Sequence, residues 1–270
     1  MRCVILMLFP FSLSFSPAIP DAASVAELPA LELDATGTLP TAEQFAEFAR
    51  ADPVRMLEFS VARYQREVQG YRVTLDRLER VNGKLRVREV VKVGFRESPF
   101  SVAMQWEKGG DRAAASLFVA GENKDKVLIR PRNSVANFLV GYVSRDPDNE
   151  EVKAQSRYSI REFGIQMGTI RTYLAWKAAQ ECGAFRYEYL GVREVPEAGG
   201  RRCHVIRRDV NPAEEDGLTD VTICIDTETW MQVSSRLMAG SELIAEYHFR
   251  DIEMNPTFAA DTFTPASLKK

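Results

Sequence analysis

Few residues in this chain belong to the types that carry out acid-base or nucleophilic chemistry. The 270 residues include two histidines and four cysteines. His204 directly follows Cys203, but neighbouring residues of a strand point to opposite faces, which separates the thiol from the imidazole. His248 lies between Glu246 and Arg250 on the polar side of an alternating stretch and reads as a solvent-facing structural residue. No GxSxG, HExxH, Walker or dinucleotide-binding glycine pattern occurs, and without a CxxC the spacings do not suit zinc. The sequence therefore assigns no catalytic residue, no metal and no cofactor, and reads as a non-enzyme. Glu89 stands apart, because it occupies an inward slot in the series Leu85, Val87, Glu89, Val91, Val93. A buried carboxylate costs several kcal/mol unless paired or hydrogen-bonded. Glu89 thus calls for an arginine partner, a wet or ligand-bearing face, or a bulge that turns it outward.

The elements that would position these groups follow from periodicity. Thr41-Ala42-Glu43-Gln44 fits a capping box and opens a short helix with Phe45 and Phe48 on one side. Asp52-Pro53 starts a second helix, whose Leu57, Val61 and Tyr64 recur at helical spacing. From Tyr71 the period becomes two, and Asn82-Gly83 marks a tight hairpin between this strand and the next. Strands continue through Val102-Met104-Trp106, Ala113 to Ala120 and Val127 to Pro131, a meander. Between Asn133 and Tyr158 the pattern breaks. There Phe138, Leu139, Val140, Tyr142 and Val143 form an apolar patch in a long connection of the kind that makes lids. A third helix places Phe163, Met167, Ile170, Leu174 and Ala178 on one face and stops at Gly183. Strands resume from Phe185 and run to Arg250, for a total of about ten. The expected fold is mainly β with helices (α+β), an open antiparallel half-barrel whose apolar hollow the helices cover.

Inward aromatic and methionine residues, Phe95, Met104, Trp106, Phe163, Met167, Tyr187 and Tyr189, are the candidate lining of a pocket, although a filled core uses the same residue types. With 35 Lys plus Arg against 38 Asp plus Glu, the net charge of −3 and the lack of a basic cluster exclude nucleic acid as the main partner.

The N-terminus carries Arg2, an apolar run from Val4 to Phe15 and small residues ending in Ser24-Val25-Ala26, the pattern of a cleavable export signal over residues 1–26. That run is shorter than the ~20 apolar residues a spanning helix needs. The expected division is a signal peptide (1–26), an N-terminal lead with a short helix (27–51) and one half-barrel domain (52–266). The mature protein would be periplasmic or secreted, soluble, with at most transient membrane contact. Cys182, Cys203 and Cys224 would remain after cleavage and allow at most one bridge. Cys203 with Cys224 across two strands is the candidate pair, and three buried thiols are the alternative.

Val81-Asn82-Gly83-Lys84-Leu85, Arg96 with Pro99-Phe100-Ser101-Val102, Trp106, and Gly200 with Cys203 resemble an uncharacterised bacterial envelope family related to the LolA-like lipoprotein carriers. The resemblance extends over roughly Asp52 to Phe263. It implies an incomplete barrel lidded by helices, an apolar cavity for acyl chains, and an arginine that latches the lid, a role that falls to Arg96. The function so implied is binding or carriage of a lipid or lipid-modified protein. The alternative is a packed half-barrel that serves as a sensor or interaction module for an envelope protein.

Overall fold

The structure is a computed structural model that describes residues 37–110, 113–132, 141–211 and 217–269. The export signal, most of the N-terminal lead, and Phe138, Leu139 and Val140 lie outside these residues. In chain order the elements are α1 (Ala42–Ala51), α2 (Pro53–Glu67), β1 (Gly70–Val81), β2 (Lys84–Leu85), β3 (Glu89–Arg96), β4 (Ser101–Lys108), β5 (Ala113–Val119) and β6 (Val127–Pro131). They continue as β7 (Val143–Arg145), α3 (Glu150–Lys153), α4 (Ile165–Glu181), β8 (Arg186–Val195), β9 (Arg201–Asp209), β10 (Asp220–Asp226), β11 (Gln232–Ala239) and β12 (Glu242–Met254).

Local chemistry sets the entry to the fold. The Thr41 side chain accepts from the Gln44 N–H while the Gln44 side chain accepts from the Thr41 N–H, a complete capping box. Asp52 caps α2, whose first residue is Pro53, where a missing N–H costs nothing. Asn82 and Gly83 both adopt positive φ (51° and 74°), as a type I′ turn demands.

The strands form one 12-stranded antiparallel sheet in the order β7-β6-β5-β4-β3-β1-β12-β11-β10-β9-β8, with β2 paired to β1 alone. Its two ends, β7 and β8, do not pair among the described residues, so the sheet is an open half-barrel and not a closed barrel. The first strand stands at the centre, joining a meander that follows it to a second meander that returns from the chain's end. Two strands more than expected arise because Lys84–Leu85 splits from the following strand and because Val143–Arg145, expected within a connecting lid, extends the sheet edge.

The split has a clear cause. Arg80 pairs with Leu85, but Arg77 pairs with Glu89, so one extra residue lies on the second strand between these contacts. A one-residue slip exchanges the faces of a strand. Leu85 and Val87 are therefore exposed (46% and 60%) instead of inward, and the inward series begins at Glu89.

On the inner face, Tyr71, Val73 and Leu75 meet Phe95, Val93 and Val91, then Val102 and Met104, to build the main core. Helices cover this face, with α1 on β9, α4 on β11 and α2 against α4. The outer face carries a second core. Ala115, Leu117, Val119 and Leu128 pack beneath Phe263 and Leu268 of the C-terminal segment, with Phe258 and Tyr142 at its margin. Tyr142 thus belongs to this outer cluster.

Helix α4 differs from the expected orientation. Its buried stripe is Ile165, Thr169, Tyr173, Trp176 and Ala179. Of the expected stripe, Phe163, which precedes the helix, packs half-buried against the main core, while Met167 and Ile170 are half-buried outside the buried stripe and Leu174 is 38% exposed. The helix has two apolar stripes, and the one with the larger rings, Tyr173 and Trp176, takes the core because it removes more apolar area from water.

Candidate functional site

The inner face between β1, β3, β4 and the start of α4 is built of rings. Tyr71 stacks on Phe95 at 4.7 Å, Phe100 meets the Phe95 edge at 5.4 Å, and Phe163 approaches it at 6.1 Å. Strand alternation brings Tyr71 and Phe95 together, since they are directly paired across β1 and β3. Gly164 precedes α4 at φ 137°, and a Cβ there would stand 3.4 Å from the Tyr71 hydroxyl and 3.6 Å from the Phe95 ring. As the N-cap it offers no side chain to the first turn. Instead the buried Tyr71 hydroxyl accepts from the Ile165 N–H at 3.1 Å, which satisfies one of the orphan donors of the helix start. Nearby, the Tyr64 hydroxyl donates to Glu97 at 2.7 Å. Burial raises the Glu97 pKa, and burial also pushes both tyrosines well above the usual phenol range.

A polar cluster lies further along the same face. Arg77 makes a 2.6 Å ion pair with Glu89 and stands 3.7 Å from Glu79, which is almost fully buried. The Tyr247 hydroxyl donates to Glu79 at 2.7 Å, and Arg77 donates to Ser156 at 3.2 Å. Tyr247 lies 6.2 Å from the Tyr158 ring, which in turn sits under the Arg171 guanidinium of α4 at 3.9 Å. Burial opposes the Arg77 charge, but Glu79 and Glu89 outweigh it and raise its pKa. Glu89 thus has the arginine partner its inward position requires. Arg77, Glu79, Tyr71 and Tyr247 were not singled out by sequence, although Arg77 and Glu79 break the inward run that starts at Tyr71, the same signal that flagged Glu89.

The candidate lining residues fall into two groups. Phe95 and Met104 are closed into the core (2% and 7% exposed), with Trp106 and Phe163 half-buried against it. Met167 is half-buried on α4. Tyr187 and Tyr189 lie apart on β8. The Tyr187 hydroxyl donates to the Arg50 carbonyl at 2.9 Å and its ring stacks on Phe185, while the Tyr189 hydroxyl is 3.0 Å from His204 Nδ1. Arg96 engages other groups than the latch role implies. It donates to Ser101 at 3.1 Å and lies over the Phe263 ring at 4.7 Å, so it fastens the C-terminal segment on the outer face.

His248 is buried (7% exposed), not solvent-facing, and Ser234 Oγ lies 2.9 Å from its Nδ1. His204 is buried against Phe45. Burial lowers both imidazole pKa values; Arg50 lowers that of His204 further. All three cysteines of the described region are free thiols, Cys182 exposed, Cys203 and Cys224 buried. Burial raises both inner thiols, that of Cys224 to about 11. Among the described residues no helix is long and apolar enough to cross a membrane.

Residues 68–269 match the profile of a protein family of unknown function, DUF1571, in keeping with the expected resemblance to an uncharacterised family. No curated protein matches the sequence. Among solved structures, a lipoprotein of Mycobacterium tuberculosis, LppX, is similar at 11% identity and TM-score 0.42, over 77% of this chain and 99% of that one. A DUF1329 family protein from Desulfovibrio piger is similar at 10% identity and TM-score 0.36, over 81% and 100% of the two chains. A LolA superfamily protein from Nitrosomonas europaea, NE2245, is similar at 7% identity and TM-score 0.30, over 85% and 99%.

Proposed function

The chain belongs to the DUF1571 family of unknown function, and on that premise we propose that it is a non-enzymatic binding protein of the cell envelope. Its ligand is a lipid or a lipid-modified protein, whose acyl chain is held between the inner face of the half-barrel and the start of α4. One observation carries this reading. Large apolar side chains at the margin of the inner core, Trp106 and Phe163, remain half-buried, and Phe163 stands beside a helix start held to the sheet by the Tyr71 hydroxyl. Each CH₂ moved from water onto such a surface contributes about 0.8 kcal/mol, so a long chain supplies on the order of 10 kcal/mol of gross driving force. The Arg77, Glu79, Glu89 and Tyr247 cluster gives the same face a polar end for a head group.

The test is organic-solvent extraction of the purified protein with mass spectrometry, paired with titration of a fluorescent fatty acid. Co-purified lipid, and uptake that Phe163→Glu abolishes, supports the proposal. Absence of both overturns it. A second reading then takes its place, favoured by the complete closure of Tyr71, Phe95 and Val102: a packed half-barrel that binds an envelope protein partner.

A further inference from the structure

Beside the outer core, the C-terminal segment arches over β1, β3, β4 and β5 and leaves a cavity of about 360 Å³ between itself and the sheet. This cavity is a cleft open to solvent, with the Lys92 and Asp251 side chains at its rim 49% and 56% exposed. At about 30 Å³ per water, it holds roughly a dozen water-sized groups and lies near the lower end of the ~300–1,000 Å³ range of ligand pockets. Its floor includes Ala103 and Ala115, and Phe258 and Leu268 of the segment form its other wall. Arg72 holds that segment in place, donating to the Thr257 carbonyl at 2.6 Å and lying 5.0 Å from the Phe258 ring centre.

The rest of the cavity is charged in a balanced way. Arg72 and Lys92 line it with Asp251 and Asp261. Lys92 Nζ donates to Thr74 Oγ1 at 2.9 Å, but the carboxylates of Glu107 and Asp251 are 3.9 and 4.0 Å away, beyond hydrogen-bond length. An ammonium has three donors, so Lys92 keeps capacity for a further acceptor. Asp251 Oδ2 accepts from Thr74 and Arg250 at 2.8 and 2.9 Å, and neither bond uses Oδ1.

We propose that this cavity binds a small zwitterion with an apolar body, of the class of an α-amino acid with an aliphatic or aromatic side chain. Its carboxylate meets Lys92, its ammonium meets Asp251, and its side chain lies between Ala103 and Phe258. A ligand of one charge sign satisfies only one of the two wall charges and faces its like at the other. An ethanolamine phospholipid head offers the same paired charges, so lipid is the second source of this chemistry. The site lies on the sheet face opposite the proposed acyl surface and does not depend on it.

Calorimetric titration of the full chain with free L-phenylalanine and L-leucine, and with their N-acetyl and amide derivatives, tests the proposal. The free amino acids are expected to saturate the site. Loss of either ligand charge, or Lys92→Gln, weakens binding about tenfold or more, as expected for removal of a charge-assisted hydrogen bond. Ala103→Leu, which fills the floor, abolishes it, while fatty-acid uptake on the inner face is unchanged in both variants. Binding to phosphatidylethanolamine vesicles that Lys92→Gln weakens, without binding of free amino acids, keeps the site and assigns its ligand to the lipid head group. No binding of either probe at millimolar concentration overturns the proposal, as does binding that neither substitution alters.

Discussion

Removing a single oxygen tests whether the Tyr71 hydroxyl is what pins α4 to the sheet. Tyr71→Phe keeps the ring and its 4.7 Å stack on Phe95 but deletes the acceptor of the Ile165 N–H. Gly164 has no side chain to replace it, and Ile165 is 1% exposed, so water has little access to the freed donor. A buried N–H left without a partner costs about 1–3 kcal/mol. For a domain of this size each kcal/mol moves Tm by roughly 2–4 °C, which places the expected drop between about 2 and 12 °C. Urea titration gives the free energy, and hydrogen exchange gives its location. Exchange at the first turn of α4 should accelerate, with β9 to β11 unaffected below the global opening energy. If stability and α4 exchange both match the unmodified protein, the Tyr71 hydroxyl does not anchor the helix, and the argument for a cover held at that point fails.

Other expectations follow from buried charge and exposure. Arg77→Met leaves Glu79 and Glu89 without their cation and should cost about 3–5 kcal/mol in urea unfolding at neutral pH; Arg77→Met combined with Glu79→Gln should recover part of it, and an unchanged midpoint in the single variant refutes the pairing. His204 and His248 both have folded pKa values below the ordinary 6.5, so the folded state binds fewer protons than the unfolded. Their contribution to stability is complete above that pH and is lost as pH falls through the folded values, so Tm should decline on acidification from pH 7.5 to 5.5, less steeply in His248→Asn. A thiol reagent should modify exposed Cys182 in the native protein, and Cys203 and Cys224 only on unfolding, which peptide mapping of the labelled protein reads directly.

Much of the architecture was legible because its signals are local. The Thr41 box, the Asp52-Pro53 start and the Asn82-Gly83 turn each act within a few residues, and the period-two runs mark strands whichever partner they find. What was misread depends on contacts distant in sequence. The alternation of Leu85, Val87, Glu89 and Val91 is unbroken on paper, yet pairing with β1 slips by one residue between Leu85 and Glu89. Composition could not reveal this, because the slip lies in the partner's register. On α4, two apolar stripes compete, and only the sheet beneath decides that Tyr173 and Trp176 go inward. The burial of His248 has the same origin: its neighbours Glu246 and Arg250 are polar, but Ser234 on β11 is directly paired with it.

The functional residues divide along the same line. A carboxylate on an apolar face is conspicuous in any sequence, so Glu89 could be flagged, and its need for an arginine follows from the cost of burying charge. Which arginine is a question of register, and Arg77 is opposite Glu89 only because of the slip that also expels Val87. The two facts are one event. Had the register of the β1–β2 hairpin continued, Glu89 would face outward together with Val91, Val93 and Phe95, and Arg88 and Lys92 would turn to the inner face. The extra residue keeps Val91, Val93 and Phe95 in the core and sets Glu89 beside Arg77 at one end of the hollow. The buried pair itself is often no better for stability than hydrophobic residues of similar volume. It does give the inner face two ends of opposite polarity, rings at Tyr71 and Phe95 and charges at Arg77, which is the arrangement an amphiphilic ligand would meet.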